Sequence, residues 1–345
     1  MKKYTLKVQE IRQETADTIT LCFKQPGLKK IKYLAGQYLT LSFRINGRRY
    51  SRPYSFSSSP TVDSLLETTI KRVPNGIFSN YVNDTIQTGD VVEVLEPMGD
   101  FIYTHDEETK VLYLWGVGSG ITPLFSILKE VLVVQPLIQV RLVYGNKNVN
   151  STIFQAKLDE LLAKYSDRLE VWHFHTQSEA STFNSFVKSG RINAEFIINL
   201  LHGEEIAKTK HYICGPIGMK ETIKTVLETL QCPEKAIFSE DFELVKNPKD
   251  FEQISTQEVT VAFESIATTL TVEKGKSVLE AALDAGLELP YSCQTGSCDT
   301  CKATLKTGSM RMIGLTKERH DLESNEFLLC CSHPLTEGVC IEIAH

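Results

Sequence analysis

The chain has 345 residues, 42% of them hydrophobic and 23% charged, which is enough for two or three domains with separate cores and excludes a peptide-scale scaffold. No run approaches the ~18 apolar residues of a membrane span, and a formal charge of −6 without a basic patch argues against a nucleic-acid ligand. Met1 to Val8 alternates like a strand and lacks the apolar core of a signal peptide, so the chain reads as cytoplasmic.

Residues 1–105 read as an antiparallel β-barrel. Leu39, Leu41, Phe43 and Ile45 alternate with polar residues, Asn46-Gly47 is a tight hairpin turn, and further strands fit Leu65 to Val73 and Val91 to Leu95. Two stretches carry chemistry. Arg52-Pro53-Tyr54-Ser55 sets a guanidinium, an aromatic ring and a hydroxyl close together, and Lys71 to Asn80 runs from a basic strand end through Gly76 into a helix start at Phe78 and Ser79. A ligand with a pyrophosphate and a flat ring system needs such a donor fork, such helix-start amides and such a stacking face. Either stretch alone would more often be an ordinary strand end.

Residues 106–241 alternate strands and helices, the pattern of a parallel doubly wound α/β sheet. A buried strand from Val111 to Trp115 leads through Gly116-Val117-Gly118-Ser119-Gly120-Ile121-Thr122-Pro123 into a helix over 124–133. Glycines there let backbone amides approach a phosphate. Next come a strand to Tyr144, a helix over 152–164, a strand over 169–174, and Tyr212-Ile213-Cys214-Gly215-Pro216 opening a helix over 217–230. His173 and His175 read as structural. After Tyr144 no carboxylate is placed to select NAD; Lys147 and Ser151 suit a 2′-phosphate, which favours NADPH over NADH.

Residues 242–256 read as a linker, and 257–345 as a separate α+β module whose strands near Val259 and Leu270 precede a helix over 277–285. Pro290 to Cys301 spaces Cys293, Cys298 and Cys301 as C-x4-C-x2-C, the spacing by which plant-type ferredoxins hold a [2Fe–2S] cluster. A zinc site would show two short cysteine pairs, and this chain has one. By spacing the fourth thiolate is Cys330 or Cys331. The module holds 13 Asp and Glu against 7 Lys and Arg, leaving 30 of each sign before it; the excess serves solubility or steering toward a basic partner face.

Together these stretches resemble the ferredoxin–NADP⁺ reductase superfamily carrying a C-terminal plant-type ferredoxin of β-grasp fold. R-x-Y-S (Arg52 to Ser55), Gly36-Gln37-Tyr38, Pro97 to Phe101, G-S-G-I-T-P (Gly118 to Pro123), C-G-P (Cys214 to Pro216) and Glu240-Asp241-Phe242 stand where that family has its landmarks, with Ala35 in place of a usual proline. The resemblance implies FAD held by Arg52, Pro53, Lys71, Gly76, Phe78 and Ser79, with Tyr54 stacked on its ring and Ser55 near its reactive nitrogen. It implies a nicotinamide nucleotide along Gly118, Gly120 and Thr122, and Cys214, Gly215 and Pro216 beside the nicotinamide. Glu240 and Phe242 would lie at the flavin edge, with Ser55, Cys214 and Glu240 as the catalytic group. The ferredoxin closing frame L-x-C-x-x-x-P fits Leu328 to Pro334 only with Cys330 as fourth ligand.

The order flavin, nicotinamide, cluster resembles oxygenase reductase components, with the reductase of the phenylacetyl-CoA epoxidase among them. It implies an NAD(P)H-dependent oxidoreductase passing electrons through FAD and the cluster to a partner oxygenase that docks near the ferredoxin module. The rival readings are a general diaphorase without a dedicated oxygenase, and a redox carrier or sensor without hydride chemistry.

Overall fold

The structure is a computed structural model and describes residues 2–27, 30–177, 186–315 and 318–343. The chain divides into two compact units, one of residues 2–41 and 54–240, the other of residues 42–53 and 241–345.

Alternating apolar residues and β-branched runs build the first sheet. Its strands are β1 (Lys3–Thr15), β2 (Thr18–Phe23), β3 (Tyr38–Ile45), β4 (Arg48–Ser55), β5 (Leu66–Lys71) and β6 (Val91–Leu95), in the order β4-β3-β6-β1-β2-β5, with helix α1 (Ile77–Thr85) after β5. Asn46 and Gly47 take φ of 51° and 81°, so both centres of the β3–β4 turn are left-handed, as the expected tight hairpin requires.

The parallel sheet of the same unit follows. It comprises β7 (Val111–Val117), α2 (Ile121–Val134), β8 (Gln139–Asn146), α3 (Gln155–Lys164), β9 (Leu169–His175), β10 (Val187–Ser189), α4 (Ala194–Leu201), β11 (Thr209–Cys214), α5 (Ile217–Thr229) and β12 (Ile237–Glu240), ordered β10-β9-β8-β7-β11-β12. Leu112 and Leu114 of β7 face a core with Phe125 and Phe154, and Tyr113 and Trp115 face a second one with Phe174 and Ile213, so helices cover both sides. The strand order reverses between β7 and β11, whose carboxyl ends carry the two glycine motifs; that crevice is where open α/β sheets bind ligands.

Helix α3 starts at Gln155, not at 152 as the sequence suggested. Asn148 and Ser151 form a reciprocal capping box around a short 3₁₀ turn, and Phe154 sits at φ 65°, which resets the chain before the helix. Ala35 and Phe101 join the core of α2, β7 and β8. A Cβ on Gly36 would lie 1.9 Å from the Phe101 carbonyl oxygen, so only glycine permits that approach.

The second unit holds β13 (Gln257–Phe263), β14 (Ile266–Val272), α6 (Val278–Asp284), β15 (Lys302–Thr307), β16 (Met310–Met312), β17 (Glu326–Leu328), β18 (Ser332–Pro334) and β19 (Val339–Glu342), as a sheet β14-β13-β19-β15-β17 and a ribbon β16-β18. Strands β13 and β19 are parallel and β13–β14 is an antiparallel hairpin. Ser277 and Glu280 close a capping box at the start of α6, which packs into the core of Val259, Leu270, Val339 and Ile341.

Residues 242–256, the expected linker, make contacts within the second unit. A 3₁₀ turn spans Pro248–Phe251, Phe251 packs edge-on to His333 with ring centroids 5.0 Å apart, Ile254 is buried, and Leu244 lies against the core of this unit. Apolar contacts scattered over a polar segment leave no period to read. Among the described residues no helix is long and apolar enough to cross a membrane.

Candidate functional site

Strand β4 carries Arg52, Pro53, Tyr54 and Ser55 on consecutive positions. Arg52 donates from Nη1 to the Ser51 carbonyl at 2.8 Å, and the Tyr54 ring stacks on Phe78 with centroids 5.8 Å apart. The turn into α1 is built by Ser79, whose Oγ accepts from the Val73 amide at 3.0 Å. A Cβ on Gly76 would fall 2.8 Å from that Oγ, so glycine keeps the turn tight. No side chain caps α1, and a helix start is where an anion is favoured. Lys71 pairs with Asp17 at 3.5 Å, which places its ammonium at the β1–β2 turn.

Gly118–Gly120 make one 3₁₀ turn between β7 and α2, with Gly118 at φ 56°. Thr122 Oγ1 donates to the Ser119 carbonyl at 3.0 Å, and α2 also lacks a side-chain cap. A Cβ on Gly120 would sit 2.1 Å from the Cys214 carbonyl oxygen, so the two glycine motifs touch backbone to backbone. Gly215 packs beside Met219 and Val117, and Pro216 precedes the first turn of α5.

Register places Cys214 of β11 beside Glu240 of β12. Part of Glu240 is accessible, but its Oε2 is buried with no hydrogen-bond partner. Burial pushes the Glu240 carboxyl up to about 8, moderated by a hydrogen bond with Ser55 and by the charge of Lys220. Burial, then Glu240, raises the Cys214 thiol well above its ordinary value. Ser55, Cys214 and Glu240 thus meet, and Lys220 joins them as a residue sequence reasoning missed. Its one signal was its place four residues past Pro216, one helical turn on. Lys147 is exposed, the Ser151 hydroxyl is taken up by Asn148, and Phe242 is exposed.

Because the Glu240 carboxyl is raised from 4.5 to about 8, the folded protein binds this proton more tightly than the unfolded chain. The stabilisation is full below pH ~4.5 and is lost as pH rises through about 8. In urea unfolding of the flavin-free protein, wild type should lose more stability between pH 6 and pH 9 than Glu240→Gln. Equal losses would show that Glu240 is ionised at neutral pH.

In the second unit, Cys298 Sγ lies 3.1 Å from Cys293 Sγ, the Thr295 amide donates to Cys293 Sγ at 3.4 Å, and the Cys330 thiol reaches both Cys293 and Cys301. Hydrogen bonds from Cys298 and Cys330 favour the Cys293 thiolate, and the same contacts raise the two donors. Cys331 places its sulfur 3.3 Å from the Leu328 carbonyl, and its thiol is also within reach of Cys330. Among the described residues no three His, Cys, Asp or Glu side chains converge as a single-ion site. Four gathered thiols fit a two-iron cluster, in which each iron takes only two cysteines. Gly296, at φ 74°, leaves no room for a Cβ, which would lie 2.2 Å from Leu315. Arg319 donates to the Gly296 carbonyl at 2.9 Å and pairs with Asp299 and Asp321. No motif pointed to that brace.

Comparison with known proteins matches residues 5–103 to the oxidoreductase FAD-binding domain, 114–225 to the oxidoreductase NAD-binding domain and 262–335 to the 2Fe-2S iron-sulfur cluster binding domain. The chain is 32% identical over 352 residues to a component of the 1,2-phenylacetyl-CoA epoxidase of Escherichia coli, covering 98% of this chain and 97% of that one. It is also 32% identical over 356 residues to the ferredoxin reductase component of 3-ketosteroid-9-alpha-monooxygenase from Rhodococcus rhodochrous, covering 98% and 96%. Its fold is similar to that of phthalate dioxygenase reductase, with a TM-score of 0.69 and 22% identity over 99% of this chain and 98% of the other.

Proposed function

The chain belongs to the family of NAD(P)H-dependent reductase components of oxygenases that carry FAD and a [2Fe–2S] cluster, and from that footing we propose how its residues divide the work. Flavin, when bound, supplies the conversion of one hydride into two single electrons, which the cluster takes one at a time. The observation that carries the division is the meeting of Ser55, Cys214 and Glu240 in one unit and of four thiols in the other.

Arg52, the amides at the start of α1 and the Gly76–Ser79 turn bind the flavin phosphates, while Tyr54 covers the ring and Pro53 fixes the strand between them. Gly118, Gly120 and Thr122 bind the nucleotide pyrophosphate, and Cys214, Gly215 and Pro216 orient the nicotinamide. Glu240 holds a proton on its buried carboxyl at neutral pH, next to the Ser55 hydroxyl. Cys293, Cys298, Cys301 and Cys330 ligate the cluster. Lys147 favours NADPH. The domain limits are 1–105, 106–241 and 257–345, with 242–256 as connecting chain. The acceptor is an oxygenase of the phenylacetyl-CoA epoxidase type docking on the ferredoxin module, whose excess acidic charge steers a basic face toward it.

The test is anaerobic mixing of the full-length, cofactor-loaded protein with NADPH or NADH, followed by the visible spectrum. Flavin absorbance should bleach first and cluster absorbance after it, with NADPH the faster donor. A protein that binds both cofactors but is bleached by neither nucleotide would be a carrier and not a reductase.

A further inference from the structure

Within the unit of residues 2–41 and 54–240, the loop that follows β4 is held by helix α2. Ser57, Ser58 and Ser59, which come just after Ser55, are fully buried. Ser126 of α2 donates from Oγ to the Ser58 carbonyl at 2.5 Å, and Ser59 donates from Oγ to the Glu130 carboxylate at 2.5 Å. Glu130 also accepts from the Thr61 amide at 3.3 Å and from the Thr61 hydroxyl at 2.6 Å. Lys129 pairs with Asp63 at 2.5 Å, its ammonium 4.8 Å from the centre of the Phe125 ring. From the barrel side, the Tyr33 hydroxyl donates to Ser58 Oγ at 2.7 Å. Positions 126, 129 and 130 share one helix face. Lys129 is buried, and a buried charge that loses its partner is costly, so this pair fixes where the loop can sit.

Helix α2 begins at the Gly118–Gly120 turn, and the gripped loop begins directly after Tyr54 and Ser55. We infer that Ser126, Lys129 and Glu130 are positioning residues that hold the nucleotide-binding turn at a set distance from Tyr54 and Ser55, so that the nicotinamide meets the flavin ring in a reactive geometry. The inference rests on the assignment of Tyr54 and Ser55 to flavin and of Gly118, Gly120 and Thr122 to the nucleotide. In the step it serves, the C–H bond of the dihydronicotinamide breaks and the hydrogen passes to the flavin ring with both bonding electrons. The nicotinamide is oxidised by two electrons and the flavin is reduced by two. The three α2 side chains exchange neither a proton nor an electron. Their part is distance: reacting atoms must come within about 3–3.5 Å, and a misplacement of about an ångström slows the step even when each partner is still bound by its own contacts.

Two variants loosen the grip separately: Ser126→Ala combined with Glu130→Ala, and Lys129→Met, which keeps an unbranched side chain and drops the charge. Glu204→Gln, which weakens the ion pair with Arg141 elsewhere in the same unit, is the control for a general loss of stability. In full-length, cofactor-loaded protein, exchange of the Thr61 amide with deuterium should speed up about tenfold in the double variant, which removes its acceptor, and stay at the wild-type rate in Glu204→Gln. After anaerobic mixing with saturating NADPH or NADH, whichever bleaches the wild type faster, flavin bleaching should slow about tenfold in both grip variants and no more than about twofold in Glu204→Gln. Flavin content and nucleotide affinity should stay within about twofold of wild type, because the binding groups themselves are untouched. Faster Thr61 exchange with bleaching no slower than in the control would overturn the inference and leave a purely structural contact. A loss confined to nucleotide affinity would overturn it as well. If Lys129→Met fails to fold, the double variant decides alone by the same two rates. Wild-type protein whose flavin is bleached by neither nucleotide would instead refute the functional assignment on which the inference rests.

Discussion

Cys330→Ser is expected to lose the visible absorbance of the cluster and its electron paramagnetic resonance signal on reduction, and Cys331→Ser to keep both. The two residues are neighbours and both are buried, so burial does not separate them. Their thiols reach each other, but their remaining contacts differ. The Cys330 thiol reaches Cys293 and Cys301, whereas the Cys331 sulfur donates to the Leu328 carbonyl. Changing an outer partner of a metal ligand already costs about 10–100-fold in affinity, so removing a ligand should lower cluster content at least tenfold. A serine at 331 can still donate to the Leu328 carbonyl, so that variant keeps its contact and loses little more than sulfur packing. Flavin reduction by NAD(P)H should persist in both, which shows that the fold survives. A cluster that survives Cys330→Ser and disappears with Cys331→Ser would move the fourth ligand by one residue.

Gly120→Ala is expected to lower NAD(P)H oxidation by about a hundredfold with flavin content unchanged. The backbone of Gly120, at φ −60°, is one that alanine adopts freely, so the effect is purely steric. The new methyl would lie 2.1 Å from the Cys214 carbonyl oxygen, 2.7 Å from its carbon and 3.2 Å from the Gly215 amide nitrogen. All three are backbone atoms and cannot rotate away. Either β11 or the glycine turn has to move by about an ångström, a displacement that costs roughly a hundredfold when it separates groups that must meet. The flavin turn at Gly76 shares no atom with this contact. The measurement is steady-state NAD(P)H oxidation with ferricyanide as acceptor; a rate within about threefold of wild type would mean that the two loops need not touch for hydride transfer.

Residues whose role is backbone-dictated were legible in the sequence. Asn46-Gly47, the glycines before α2 and the C-x4-C-x2-C loop each need a residue type that few others replace, so their places could be read directly. The expected choice of Cys330 rested on the closing frame. The chain at 329–331 is a turn, and the Cys330 and Cys331 thiols are within reach of each other. What sequence reasoning missed were long-range contacts of common residues. Arg319 bracing Gly296, Lys220 beside Cys214 and Glu240, and Tyr291 beneath Ser51 are ordinary side chains whose meaning comes from what folding brings to them. Strands β10 and β12 and helix α4 were missed for another reason: they are three, four and eight residues long, too short for a period to show.

The sharing of residues 42–53 with the cluster-bearing unit bears on how such chains recombine. A single crossover near residue 241 would transplant Asp284, Glu288 and Tyr291 without the hairpin residues they touch here, Arg48, Arg44 and Ser51. A working hybrid therefore inherits the hairpin tip along with the C-terminal module, as a two-piece cassette with breakpoints on both sides of β3–β4.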